Sequence, residues 1–131
     1  MGAWGYGSFD NDSAMDWLGD LTDTDPSIVG ELLDDVAGAT THLEDDDASA
    51  VLAAAELVAA AHGKGDDRLC DTAAEWIAAN RSSIATLDLS VARRAVERVF
   101  ASSELRELMD ESGNDGEWHA GVRELIRRLA A

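Results

Sequence analysis

The chain has one cysteine (Cys70), one proline (Pro26) and one lysine (Lys64), and its basic residues are few: 10 against 27 acids, a formal charge of −17. A lone cysteine cannot close an internal disulfide, so nothing in the sequence implies an oxidising compartment. A protein so poor in positive charge lacks the basic footprint that displaces counterions from nucleic acid, and it would be repelled by anionic lipid. The most apolar stretch, residues 48–61, is about 14 residues long and is interrupted by Ser49 and Glu56. A membrane-spanning helix needs roughly 20 residues. The opening residues carry neither the basic nor the apolar segment of a secretory signal, and Tyr6 stands where a myristoylation motif requires Ser or Thr. The expectation is a cytoplasmic protein without a membrane role.

What remains is a globular composition. The length of 131 residues suits one domain, and 46% apolar with 28% charged residues suits a folded one. The charge is uneven. Residues 1–67 hold 16 acids and one base, a net of −15, whereas residues 68–131 hold 11 acids and nine bases, a net of −2. Such asymmetry fits a face meant for a basic partner, and it fits a well-solvated surface equally.

No stretch alternates like a strand, but helical periodicity appears six times. Ser13 can cap a short helix bearing Ala14, Trp17, Leu18 and Leu21 on one face. Asp25-Pro26 opens a second, with Ile28, Val29, Leu32, Leu33 and Val36 as its stripe. Asp45, Asp46 and Asp47 lie at the positive end of a third, which runs from Ala48 to about His62 and stops at Gly63. Thr72 and Glu75 have capping-box spacing for a fourth, carrying Ala73, Trp76 and Ile77. Asp88 or Ser90 starts a fifth, which continues or kinks at Ser102-Ser103 towards Leu105, Leu108 and Met109. Asn114 and Glu117 open the last, with Trp118, Val122, Leu125, Ile126 and Leu129 inward.

The third helix is apolar on nearly every side, so its neighbours must surround it. The predicted fold is all-α: a single domain over residues 1–131, with about six helices packed round a central alanine-rich one. A non-helical segment, residues 1–12, precedes the helices and packs on them.

That opening segment is the most distinctive part of the chain. Its three glycines permit close backbone approach, Trp4, Phe9 and Trp17 can fill an apolar hollow, and Asp10 and Asp12 can accept N–H groups at the first helix. The run Gly2-x-Trp4-Gly5-x-Gly7-x-Phe9-Asp10-Asn11-Asp12-x-Ala14-x-Asp16-Trp17 resembles the opening of an uncharacterised, actinobacterial-type family, domain of unknown function four-two-five-nine. Residues 53–60 and 103–108 resemble the same family, which extends the likeness over most of the sequence. The resemblance implies ancestry and brings no activity.

Among candidate chemical groups, Glu56 stands out. It lies mid-helix in a stretch expected to be buried, where an isolated carboxylate is costly unless it is hydrogen-bonded or protonated. It reads as a general acid/base or metal ligand, or else as an acceptor for N–H groups of the opening segment or a carboxylate at a solvent gap between helices. Asp10, Asn11 and Asp12 suggest a calcium loop, but Met15 stands where its glycine belongs and Leu21 where its final Glu belongs. The three histidines have no metal spacing; His42 and His62 suit helix C-termini. Glu31-x-x-Asp34 and Glu104-x-x-Glu107 can present carboxylate pairs, as helical magnesium-dependent hydrolases do, or form ordinary exposed faces. No cofactor motif is present.

Three functions stay open. The leading one is a small acidic interaction module, immunity- or antitoxin-like, that binds a basic protein through Asp34, Asp35, Asp45, Asp46 and Asp47. The second is a metal-dependent hydrolase or other small enzyme using Glu56 with Asp10 and Asp12. The third is a structural or self-associating protein, whose sign would be an exposed apolar patch on the last helix. Partner identity and oligomeric state do not follow from the residues.

Overall fold

A computed structural model describes residues 11–38, 43–65, 69–112 and 115–130. Among them are seven helices and no strand: α1 (Asp12–Leu21), α2 (Ser27–Ala37), α3 (Asp45–Ala61), α4 (Asp71–Ile84), α5 (Leu89–Ala101), α6 (Glu104–Ser112) and α7 (Asp115–Ala130). The expected all-α class and the central helix both hold. Thirteen of the 17 residues of α3 are buried, which leaves it no face for water, and it packs against each of the other six helices. Alanine makes this possible. Ala53, Ala54 and Ala55 point in three directions around the axis and are all fully buried, so neighbours approach the α3 backbone from every side.

The outer helices supply the bulk. Leu18 and Leu21 of α1, Val29 and Leu33 of α2, Trp76 and Ile77 of α4, Val96 and Val99 of α5, and Trp118, Val122, Leu125 and Leu129 of α7 close one continuous core. α2, α5 and α7 form a connected row, because α5 packs against both.

The count is seven because the fifth periodic segment breaks at Ser102-Ser103. Ser102 is extended, and buried Ser103 serves both flanks: its Oγ donates to Val99 O at 2.8 Å and accepts from Arg106 N at 3.1 Å. The second bond caps the start of α6, so a kinked continuation becomes a new helix.

Two expected caps are displaced. α1 starts from Asn11, not Ser13, because Asn11 Oδ1 accepts from Ala14 N at 2.8 Å. Ser13 instead donates its hydroxyl to Asp46 Oδ1 at 2.7 Å. The Thr72–Glu75 box does not form, since Cys70 O already accepts from Ala74 N and α4 begins at Asp71; Thr72 and Glu75 are exposed within its first turns. α3 begins at Asp45 rather than Ala48, and its three aspartates lie in the first turn, at the positive end of the helix as expected. Asp25 and Asp88 do cap, through bonds to Ser27 N and Ser90 N. Asn114 lies outside the described residues.

The far end of α3 closes with a Schellman turn. Gly63 takes φ +78°, Gly63 N donates to Ala60 O, and Lys64 N donates to Ala59 O at 2.7 Å. Basic side chains gather where the helix dipole is negative. Arg81 Nη1 donates to Ala60 O at 3.0 Å, and His62 Nε2 lies 2.9 Å from Leu87 O, which fixes the α4–α5 connection to this end.

Candidate functional site

Glu56 is buried in the middle of α3, as the sequence predicts, and the group beside it comes from the other end of the chain. Arg128, in the last turn of α7, places Nη1 2.8 Å from Glu56 Oε1. The contact is a close, buried ion pair. The same guanidinium donates from Nε to Glu124 Oε1 at 2.5 Å and from Nη1 to Lys64 O at 3.0 Å. Burial opposes the charge on Arg128, but Glu56 and Glu124 more than offset it and hold the proton on more tightly than usual. Burial likewise opposes the charge on Glu124, while Arg127 and Arg128 hold its carboxyl below the ordinary value. The cluster joins α3, α7 and the turn after α3, and it is electrostatically matched.

Of the opening motif, the described residues begin at Asn11. Trp4, Phe9 and Asp10 lie outside the described residues, as does His42. Asn11 is the cap of α1. Asp12 and Asp16 are exposed on that helix, and Trp17 is half-buried against the core. Among the described residues no group of three or more His, Cys, Asp or Glu side chains is arranged to hold a metal ion.

The acidic candidates form two surfaces. Asp34 and Asp35 are exposed near the end of α2. Asp45, Asp46 and Asp47 make the first turn of α3, where Asp45 N donates to Glu104 Oε1 at 2.9 Å and Glu104 N donates to Leu43 O at 2.8 Å. This brings the start of α6 onto the start of α3 and crowds like charges. Burial, and then the neighbouring Asp46 and Glu104 carboxylates, push the Asp45 carboxyl above its ordinary 3.8. Because the folded state binds that proton more tightly than the unfolded chain, stability falls as pH rises from about 3.8 through the raised value. A carbon-detected NMR titration should place Asp45 above 3.8. Glu104→Gln should bring it part of the way back. An unchanged midpoint in that variant would remove Glu104 as a cause.

Two features of the structure have no counterpart among the residues that stand out in the sequence. One is Arg128, although Glu124-x-x-x-Arg128 has ion-pair spacing and Leu125 and Leu129 bracket it on the inward stripe. The other is an aromatic group where α5, α6 and α7 meet. Phe100 stacks on Trp118 at 6.1 Å and meets His119 edge-on at 5.2 Å, with the Arg106 and Arg123 guanidiniums 4.9 and 5.4 Å from its ring centre. His119 Nε2 lies 3.1 Å from Asp110 Oδ1. Pairings between separate helices leave no spacing in the sequence to find.

The chain belongs to the family described as Domain of unknown function (DUF4259), whose model matches residues 2–121. No curated protein and no solved structure matches it. The resemblance read from the opening motif is thereby shown, and the family assigns no activity. No helix among the described residues is long and apolar enough to cross a membrane.

Proposed function

We propose that this chain is a small acidic protein-interaction module, immunity- or antitoxin-like, that binds a basic protein in the cytoplasm. The observation that carries the reading is the crowding of like charge where α3 starts. Asp45 is pushed towards its neutral form by burial and by the nearby Asp46 and Glu104 carboxylates. A cationic surface laid against this turn would relieve repulsion that the free protein carries, which favours association. Exposed Asp34 and Asp35 provide a second acidic surface, and the net charge of −17 would steer a basic partner from a distance.

The hydrolase reading gains no support from the surroundings of Glu56, whose carboxylate is balanced by Arg128 inside the core. Self-association gains none from α7, whose Trp118, Val122, Leu125 and Leu129 are buried. The continuous core supports treating residues 1–131 as one domain.

The test is retention. The immobilised chain, offered a lysate of its source organism at low salt, should hold one basic protein at stoichiometric level and release it along a salt gradient. The chain carrying Asp45→Asn, Asp46→Asn and Asp47→Asn should release that protein at distinctly lower salt. Identical elution would set the reading aside.

A further inference from the structure

A groove of about 520 Å³ runs between α2, from its start as far as Asp34, and the end of α4 with the turn that follows it. Pro26, Ile84 and Leu87 are its apolar lining, beside the polar Asp25, Ser27, Ser83 and Thr86. Leu87 lies directly on the α2 backbone at Gly30, where an added Cβ would come within 2.9 Å of its Cδ2. One rim carries Glu31 and Asp34, both exposed and one turn apart on the same face of α2. No base of the described chain pairs with either carboxylate.

The Asp45 turn has charge without a hollow, whereas this groove has both. Its chemistry asks for a side chain that is apolar along its stem and cationic at its tip. Arginine fits better than lysine. A planar guanidinium can lie flat on Leu87 and Pro26 and still direct separate N–H groups at two carboxylates, which a compact ammonium cannot. We propose that the groove receives an arginine side chain of the basic partner. The proposal rests on the interaction-module reading and supplies its point of specificity.

The experiment uses the full chain labelled with nitrogen-15 and titrated at low salt with the pentapeptide Gly-Gly-Arg-Gly-Gly or its lysine counterpart. Saturable shifts confined to the amides of Gly30, Glu31, Asp34, Thr86 and Leu87 are expected, with the arginine peptide about threefold tighter. Glu31→Gln combined with Asp34→Asn should weaken binding about fivefold. Neutralising Asp45, Asp46 and Asp47 should leave binding in the groove unchanged. Shifts spread over all the acidic helices and insensitive to the rim variant would overturn the groove. So would the same amides responding to magnesium ion alone, which would make it a metal site. If the peptide fails to bind while the Asp45–Asp47 variant still loses its basic protein, the groove falls and the broader reading stands. If neither effect appears, both fall.

Discussion

Replacing Arg128 by alanine is expected to destabilise the chain by about 3 kcal/mol. The side chain is only 11% exposed and that of Glu56 only 5%, so water screens their attraction poorly and cannot replace the lost guanidinium. Glu124 and Lys64 O would lose the same donor. Arg128→Lys keeps the charge but not the fork that serves three acceptors, and should cost about 1–2 kcal/mol. Replacing the pair together, Glu56→Leu with Arg128→Met, should recover most of the stability, because apolar groups of similar volume carry no desolvation cost. Urea unfolding measures all three. The acid limb offers a second readout. Since the Glu124 carboxyl is held below its ordinary 4.5, its stabilising contribution is complete above that value and is lost as pH falls through the lowered one. Arg128→Ala should flatten that loss. A cost below about 0.5 kcal/mol would show the pair to be effectively solvated.

The same cluster shows where sequence reading succeeds and where it stops. That Glu56 is buried was legible, because a helix with Val51, Leu52, Leu57 and Val58 among alanines has no polar face to turn outward. What balances it was not, because Arg128 is 72 residues away and meets Glu56 only after α7 has packed. Periodicity likewise found most inward residues, from Ala14 and Leu18 to Leu125 and Leu129, since burial repeats along one chain segment, but Leu108, expected on the stripe that becomes α6, is 42% exposed. Caps were harder. Thr72 has a sound capping side chain but lies one residue inside a helix that starts from Cys70, and Ser13 gives up α1 to Asn11 for a bond with Asp46. At Ser13 the choice between two good cap formers goes with a tertiary partner, Asp46, which local sequence does not contain. The groove beside α2 was visible only in its rim, as the Glu31-x-x-Asp34 spacing. Its apolar lining needed Leu87, which the α4–α5 connection brings in.

Ala54→Leu is expected to cost about 3 kcal/mol, the upper end for an added side chain in a packed core. The reason lies in how α3 occupies its place. A helix enclosed on all sides has no surface towards which a larger side chain can be diverted, and Ala53 and Ala55 are fully buried beside it. The three added carbons would therefore force a neighbouring helix outward, and the displacement would reach others, because every other helix rests on α3. A control separates this from the substitution itself: Ala78→Leu, on the exposed face of α4, should change stability by less than about 0.5 kcal/mol. Leucine is nearly as good a helix former as alanine, so propensity cannot account for the contrast. Similar costs at Ala53, Ala54 and Ala55, which face about 100° apart, would establish enclosure from all sides. A tolerated leucine at any of the three would mean that one flank of α3 has room. Alanine there would then be a matter of composition, and the bundle would not be close-packed against α3 on that side.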